Sequence, residues 1–370
     1  MQVEDENPAM TGDWRHVVAT GLYQTGLLRA FSAVSRRCEL VSYDGSSARL
    51  RRVQNAKYVI LAYHGVGPQE FPLYCRLSKR AFADQMWYIK RNYRVVSLPQ
   101  MVEELHTPVA EGQSVVVTFD DGYLGTYADA FPVLRECGIP ATVYLTAGAV
   151  ESGELAWYDQ VFLRFQRAGP ELTVTLDAEK NFHLTDFTSR VDAATTVILY
   201  LRTLPDEKRR QWCETFAKAI PLAPEDVRGS MMNWDQVREM QRAGIFFGSH
   251  TLTHPVLSRL TPEAVQYEVA QSKWLIENRT DAAVEDFAFP FGKPHDCGEI
   301  GATTLGALGL RSAMTTTVGV NQPGADQFRL RRMVLGDESS SIGMFAFRLQ
   351  RLFFHSADEE AIAVAGGVRA

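Results

Sequence analysis

The sequence predicts an α/β protein built on a parallel β-sheet, with polar side chains gathered at one edge of that sheet. Short, nearly continuous apolar runs rich in β-forming residues occur at 57–63 (KYVILAY) and 114–119 (SVVVTF), which is typical of strands buried on both faces. Helical segments separate the strands, and chemically reactive side chains follow the strand ends. This alternation, with polar residues at the carboxyl ends of the strands, is the pattern of an α/β barrel.

The predicted elements alternate along most of the chain. The predicted strands cover residues 57–63, 114–119, 141–146, 244–249, 286–291 and 310–317. The predicted helices between them cover residues 78–93, 127–137 and 262–278. Ser78 and Thr261 precede two of these helices as N-caps, and Pro262 occupies the first turn of the last one.

The domain organisation follows from where this alternation holds and where it stops. We expect a barrel domain over residues 56–345, interrupted at about 151–230 by a mostly helical insertion that helps to wall the active site. Residues 1–55 are expected to form an N-terminal helical extension, and residues 346–370 a C-terminal tail. Inside the insertion, the predicted elements are helices at 159–168 and 193–220 and a strand-like segment at 171–177.

Composition restricts the class of protein. Of the 370 residues, 46% are hydrophobic and 22% are charged, which is ordinary globular composition. The formal net charge of −6 argues against a nucleic-acid partner and against a surface built to bind anionic lipid. The five cysteines are widely spaced and form no C-x-x-C pair, which indicates reduced structural thiols.

The N-terminal segment bears on location. Residues 1–14 are polar and acidic, without the positive start and apolar centre of an export signal, and no apolar run is long enough to cross a membrane. We therefore expect a cytoplasmic location, including the inner surface of the membrane. Residues 14–37 can form an amphipathic helix, which either packs on its own domain or makes peripheral contact with a membrane.

Two motifs at strand ends carry the candidate chemistry. TFDDGY places Asp120 and Asp121 side by side, and SHTLTH places His250 and His254 four residues apart, a spacing that brings both rings to one side of a helical turn. A plain turn and two unrelated surface histidines are the alternative interpretations. One carboxylate with two imidazoles is a usual zinc ligand set that leaves a position open.

The neighbouring aspartates can have different roles. Asp121 can bind a metal ion, while Asp120, held near the cation, stays ionised and can accept a proton from the water that attacks an amide carbonyl. Expulsion of the amine then requires a proton donor. His64 is the candidate donor, because it follows a buried strand and an unperturbed imidazole titrates near neutrality. A hydrogen-bonded structural histidine at the start of a loop is the alternative.

The motifs TFDDGY, SHTLTH and FAFPFG, in this order, resemble those of the polysaccharide deacetylase family, also called the NodB-homology or carbohydrate esterase family 4 domain. The resemblance covers about residues 56–335. It implies a distorted (β/α) barrel of the NodB-homology type, a base at Asp120, and one divalent metal ion held by Asp121, His250 and His254. Zinc is the ion that the resemblance favours, with cobalt or nickel as alternatives.

Two features of the family are displaced in this chain. The arginine of the usual Arg-x-Pro-Tyr segment is absent, since Ala288 stands at its position, and Arg331 or Arg332 is the candidate replacement. The strand-Leu-x-His motif, which supplies the general acid near the end of most members, stands at the front of the domain here and ends in His64. This order resembles the permuted subgroup that acts on poly-N-acetylglucosamine and exopolysaccharides.

The resemblance also implies a substrate, which is an N-acetylated glycan. We expect hydrolysis of the N-acetyl group of N-acetylglucosamine-type units in an oligo- or polysaccharide, with release of acetate. The residues expected to contact the glycan are Tyr123, Trp157, Phe289, Pro290 and Phe291. Packing is the alternative role for Trp157, and Trp234 is open to the same two interpretations.

Two other functions stay open at this stage. The first is a carbohydrate-binding barrel without catalysis, which the missing arginine favours. The second is a deacylase of a non-sugar amide, because specificity lies in groove loops whose shape the sequence does not give.

Overall fold

The computed structural model of the protein describes residues 56–67, 76–106, 112–227, 229–336 and 339–354, with all side chains in these ranges except those of Glu225 and Ala302. The predicted N-terminal extension, including the segment 14–37, lies outside the described residues. No helix within the described ranges has the length and apolar character needed to cross a membrane. Among the described cysteines, Cys137, Cys213 and Cys297 are free thiols.

Parallel strands form the centre of the molecule. The strands are β1 (Lys57–Tyr63), β2 (Gly65–Val66), β3 (Arg76–Leu77), β4 (Arg94–Val95), β5 (Gln113–Phe119), β6 (Ala141–Leu145), β7 (Glu171–Thr175), β8 (Glu179–His183), β9 (Phe246–Ser249), β10 (Asp286–Ala288), β11 (Ser312–Met314) and β12 (Arg332–Val334). The main sheet has eight strands in the order β11-β10-β9-β6-β5-β1-β12, with β4 paired to β5, and all its pairs are parallel. The predicted α/β class is therefore confirmed.

The main sheet curves into a nearly closed barrel. Its two end strands are linked through the segment before β12, because the amide of Leu330 donates to the carbonyl of Ala313 (3.0 Å) and the amide of Thr315 donates to the carbonyl of Leu330 (2.8 Å). Strands β1 and β5 pair along their whole length, from Lys57 with Gln113 to Tyr63 with Phe119. This register places the residues that follow β1 next to the residues that follow β5.

Helices cover the outside of the barrel and form most of the insertion. They are α1 (Lys79–Asn92), α2 (Leu98–His106), α3 (Phe131–Cys137), α4 (Ala147–Ser152), α5 (Trp157–Arg167), α6 (Phe187–Leu201), α7 (Asp206–Ala219), α8 (Pro224–Val227), α9 (Trp234–Arg242), α10 (Pro262–Thr280), α11 (Pro294–Cys297), α12 (Ala302–Ala307) and α13 (Ile342–Phe354), with a π-helical turn at Thr126–Ala130 and a 3-10 turn at Leu257–Arg259. As predicted, Ser78 and Thr261 cap α1 and α10, since their side-chain oxygens accept from the amides of Ala81 (3.1 Å) and Ala264 (3.3 Å).

The insertion has a small core of its own. Helices α5, α6 and α7 and the antiparallel hairpin of β7 and β8 enclose buried residues such as Phe162, Phe165 and Leu201. The single helical region predicted over 193–220 is two helices, because Pro205 lacks the amide hydrogen that a continuous helix requires.

Several predicted boundaries differ from the structure. The predicted strands 286–291 and 310–317 shorten to β10 and β11, because the chain leaves the sheet where it builds the site described below. The predicted end of the barrel domain at residue 345 falls inside α13. That helix belongs to the core, since Phe345, Leu349 and Phe353 are buried.

Gly248 in β9 stands where the neighbouring strands leave no space for a side chain. A Cβ atom there would lie 2.6 Å from the ring of Tyr144 and 2.8 Å from the carbonyl oxygen of Asp286, both within the barrel wall. We expect Gly248→Ala to lower the free energy of unfolding by about 1–3 kcal/mol through overpacking. Gly169→Ala is the matched control, since a Cβ there meets nothing within 4 Å. Urea unfolding measures both, and an unchanged midpoint for Gly248→Ala would contradict the packing described.

Candidate metal centre and active site

The carboxyl ends of four strands converge on one site. His64 follows β1, Asp120 and Asp121 follow β5, and His250 follows β9. The FPF segment follows β10 and closes one side. Because the strands are parallel, their carboxyl ends meet at the same rim of the barrel, which is where α/β barrels place their active sites.

Asp121, His250 and His254 form a compact ligand set. Their donor atoms lie within 4.8 Å of one another, and all three residues are buried. The Nε2 atoms of His250 and His254 lie 3.7 Å and 3.6 Å from the same oxygen of Asp121. Atoms that each lie about 2 Å from a central ion would have separations of this size. The sequence-predicted ligands are thus brought together by the fold.

The protonation of the two histidines suits a metal ion. Burial lowers the pKa of His250 to about 4 and that of His254 well below its ordinary value, so both rings are neutral near pH 7. The Nδ1 atom of His250 lies 2.7 Å from the carbonyl oxygen of Ala288, which accepts its hydrogen and leaves the Nε2 lone pair facing Asp121. This is the arrangement by which a metal-ligating histidine is commonly oriented.

Asp121 has no counter-charge of its own within the described structure. Its pKa is raised well above its ordinary value, first by burial and then by the neighbouring carboxylates of Asp120 and Asp159. The hydroxyl of Tyr158 donates to it over 2.9 Å, which orients the carboxylate without neutralising it. A divalent cation would supply the missing charge. The three side chains therefore fit the metal ion that the motifs imply.

Asp120, unlike Asp121, is paired with an arginine. Arg332, the first residue of β12, donates from Nη1 and Nη2 to the two carboxylate oxygens of Asp120 over 2.7 Å and 2.8 Å. Both side chains are buried. Burial alone would raise the pKa of Asp120, but the charge of Arg332, assisted by His250 and His64, outweighs it and holds that pKa well below its ordinary range. Asp120 is therefore ionised at neutral pH.

His64 follows β1, the strand between β5 and β12, and also lies beside Asp120. Its Nε2 is 3.8 Å from a carboxylate oxygen of Asp120, and its buried Nδ1 has no hydrogen-bond partner among the residues that the structure describes. Burial lowers the pKa of His64, while Asp120 opposes that shift. The strand at the front of the domain thus places an imidazole next to the diacid.

Backbone strain is concentrated at this site. Asp121, Thr251, His254 and Phe291 all have φ between 57° and 72°, the left-handed region that side chains other than glycine seldom adopt. Such strain persists only where surrounding contacts enforce it.

Glu268 of α10 supplies one set of those contacts. One carboxylate oxygen of Glu268 accepts from the amides of Leu252 and Thr253, both over 2.9 Å, and the other accepts from the Thr253 hydroxyl over 2.7 Å. The helix therefore fixes the loop that carries both histidines.

A groove of about 340 Å³ opens over the ligand set. Phe289 and Phe291 line it, and Pro290 is buried between them. Tyr123 and Trp157 take other positions than the predicted groove wall. Tyr123 is buried, and its hydroxyl donates to Asp159 over 2.6 Å, because the chain turns inward after the diacid. Trp157 lines a different cavity, and its indole donates to the carbonyl of His254 over 3.0 Å.

Trp234, open to two interpretations in the sequence, packs against the core and donates to Glu151 over 2.6 Å. It lies outside the groove lining.

Sequence reasoning missed several residues that position the ligands. Glu268 falls on the same face of α10 as Val265, Val269 and Ser272, all buried, and a charged residue on a buried helical face is a detectable signal. Asp159 is fully buried one residue beyond Tyr158 and accepts from Tyr123. The replacement arginine was not missed: of the two candidates that the sequence offers, Arg331 and Arg332, the structure pairs Arg332 with Asp120.

A buried aspartate and two histidines at the rim of an α/β barrel, beside an arginine-paired carboxylate, suit the class of hydrolases, and the aspartate and the two histidines fit a metal ion. Comparison with known proteins agrees with this class. The model of the polysaccharide deacetylase family matches residues 108–305, more than half of the chain. The chain therefore belongs to the polysaccharide deacetylase family, whose members are hydrolases that remove acetyl groups from polysaccharides.

Individual relatives are distant. The chain is 22% identical over 309 residues to a putative polysaccharide deacetylase of Bacillus subtilis, YxkH, covering 82% of this chain and 80% of that protein. It is similar in fold to the deacetylase PplD of Streptococcus pyogenes, solved with acetate (TM-score 0.53, 17% identity, 80% of this chain and 98% of that one). It is also similar to IcaB from Ammonifex degensii (TM-score 0.51, 22% identity, 79% and 98%).

The pairing of Arg332 with Asp120 can be tested against its neighbour Arg331. We expect Arg332→Met to lower the free energy of unfolding at pH 7 by about 3–5 kcal/mol, because Asp120 keeps a buried charge without a partner. Arg331→Met, which leaves that pair intact, should stay within about 1 kcal/mol of the wild type. Equal effects of the two substitutions in denaturant unfolding would contradict the assignment.

The pH dependence of stability gives the same test a second measurement. Because the folded pKa of Asp120 is lowered, its carboxylate stabilises the wild type above about pH 4, and this contribution is lost as the pH falls through the folded pKa. Without Arg332, burial raises the folded pKa of Asp120 above its ordinary value, so lowering the pH towards 4 protonates the unpaired carboxylate and should reduce the destabilisation of Arg332→Met relative to Arg331→Met.

Proposed function

We propose that the protein is a metal-dependent deacetylase that hydrolyses the N-acetyl group of N-acetylglucosamine-type units in an oligo- or polysaccharide and releases acetate. The observation that carries the proposal is the meeting of Asp121, His250 and His254 within 4.8 Å, directly beside the ionised carboxylate of Asp120. A site of this composition suits attack of water on an amide carbonyl.

Zinc is the ion that this ligand set favours. Two neutral imidazoles and one carboxylate are borderline donors that suit zinc, and cobalt or nickel can take the same ligands. A divalent ion bound there supplies Lewis acidity to the amide carbonyl and makes water more acidic. Tyr158 would keep the carboxylate of Asp121 directed at the ion through its 2.9 Å hydrogen bond.

Asp120 would be the general base. Arg332 keeps this carboxylate ionised and fixes its plane by the two-point contact, so that it can accept a proton from the attacking water. Through this contact, Arg332 would take the place of the family's arginine, which is absent at position 288. The interpretation as a non-catalytic carbohydrate-binding barrel loses its main support, because an arginine from β12 does what the missing one would do.

His64 would be the general acid. It lies beside Asp120 at the rim of the groove and reaches the site from a strand that holds none of the ligands. Expulsion of an amine requires that the nitrogen gains a proton, and an imidazolium at this place can donate it. The aromatic wall of Phe289 and Phe291 would pack against the apolar face of the sugar.

The metal requirement and the role of the base can be separated experimentally. We expect chelator-treated protein to lose acetate release from chitin oligomers and to regain it with zinc or cobalt. His254→Ala should lose bound metal, whereas Asp120→Asn should keep metal and lose turnover, because Asp120 is not a ligand. His183→Ala, an exposed histidine on β8, is the control and should behave as wild type. Full activity in Asp120→Asn, or in metal-free protein, would refute the proposed mechanism.

The role of His64 has its own test. We expect His64→Gln to retain metal and to release acetate from the glycan about 10²–10⁴-fold more slowly, because the amine leaves unprotonated. Hydrolysis of para-nitrophenyl acetate by the same variant should fall much less, since its leaving group needs no proton. A variant that loses both activities equally would indicate that His64 has a different role.

A further inference from the structure

A second cavity, of about 380 Å³, lies between the barrel and the insertion. Helices α5 and α7 line it from the insertion, and α4 and the loop between the two ligand histidines line it from the barrel. Its walls are largely apolar and include Leu155, Val161 and Leu252, and its volume is in the range of small-molecule sites. The metal centre does not use this cavity.

Arg164 of α5 lines this cavity and is a buried cation without a carboxylate. Its side chain belongs to a residue that is only 8% exposed. Nη1 donates to the backbone carbonyl of Gln160 (2.9 Å) and to its side-chain oxygen (3.3 Å). Within the described residues, Nε has no hydrogen-bond partner and no carboxylate oxygen lies within 4.0 Å of the guanidinium.

The other two arginines of the cavity share one carboxylate partner. Arg209 and Arg210 both pair with Asp206, from Arg209 Nη2 over 2.5 Å and from Arg210 Nε over 3.0 Å. Arg209 also lies over the ring of Trp157, 4.6 Å from its centroid. Glu154 and Glu214, the acidic residues of the lining, are exposed at its edge. Among the described residues of the lining, Arg164 is therefore the buried arginine that has no carboxylate partner.

Burying an arginine without an anion costs free energy, and two neutral oxygens do not offset the loss of hydration. A guanidinium presents a planar fork of donors that matches the two oxygens of a carboxylate or phosphate. We propose that the cavity is a binding site for a compact organic anion, whose carboxylate or phosphate pairs with Arg164 while its remaining atoms pack against the apolar wall.

This site shares a wall with the metal centre without being part of it. Trp157 faces the cavity, and its indole holds the carbonyl of His254, while the next residue, Tyr158, faces the metal groove. Its anion has two conceivable sources, namely a free metabolite or an acidic group on a glycan, and both present the same charged group to Arg164. The inference does not depend on the deacetylase proposal, since the cavity holds none of the proposed catalytic residues.

Ligand-dependent stability tests the proposal directly. We expect inorganic phosphate and glucuronate to raise the thermal midpoint of the wild-type protein by about 2 °C or more over sodium chloride of equal ionic strength, because a ligand that binds the folded state alone stabilises it. Arg164→Gln should lose this shift. Arg167→Gln, a control on the same helix whose arginine is exposed and pairs with Asp226, should keep it. A shift of equal size in Arg164→Gln would overturn the proposal.

Titration calorimetry on the wild-type protein gives the second measurement, which does not rely on a folded variant. Saturable binding of either phosphate or glucuronate, displaced by the other, supports one shared site, and the tighter of the two indicates the source of the anion. The absence of heat for both anions would overturn the proposal, whatever the deacetylase assay shows.

Discussion

Two neighbouring carboxylates, buried at the end of one strand, are the constraint on which this structure depends. Asp120 and Asp121 are adjacent in the chain and almost inaccessible to water, so each raises the cost of ionising the other. The fold resolves this by giving the two groups different partners. Arg332 neutralises Asp120 from β12, and the two histidines turn Asp121 into a site for a cation. The two aspartates thus lie in different environments, as the proposed roles of base and metal ligand require, although they share a residue type.

The parallel sheet explains why these partners meet. The full-length register of β1 with β5 sets His64 beside Asp120, and the closure of the barrel brings β12 to the other side of β1. The local backbone then departs from regular geometry at Asp121 and His254, both in the left-handed region. Rigid elements around the site hold these conformations, of which Glu268 on α10 is the clearest case.

The sequence was sufficient for the parts that local patterns determine. Apolar runs and capped helices predicted the α/β barrel, and the motifs named Asp121, His250 and His254 before the geometry was known. The sequence did not predict the side-chain positions that depend on packing between distant segments. Because Tyr123 follows the diacid, it was expected in the groove wall, yet its hydroxyl donates to the buried carboxylate of Asp159.

The sequence limited the candidates for the replacement arginine to Arg331 and Arg332, and only the fold identifies Arg332 as the partner of Asp120. Successive residues of a strand point to opposite faces, so Arg332 enters the barrel interior and Arg331 cannot do the same. The insertion shows the same limit. Its helices were expected, but the way in which α5 exposes Tyr158 to one cavity and Trp157 to another follows from packing that no local pattern encodes.

The proposed metal site can be tested most directly by anomalous diffraction at the zinc absorption edge from crystals of the zinc-saturated protein. We expect a single strong peak about 2 Å from the Nε2 atoms of His250 and His254 and from a carboxylate oxygen of Asp121, with Asp120 still paired to Arg332. A peak elsewhere in the molecule, or none at this site, would contradict the proposed metal site.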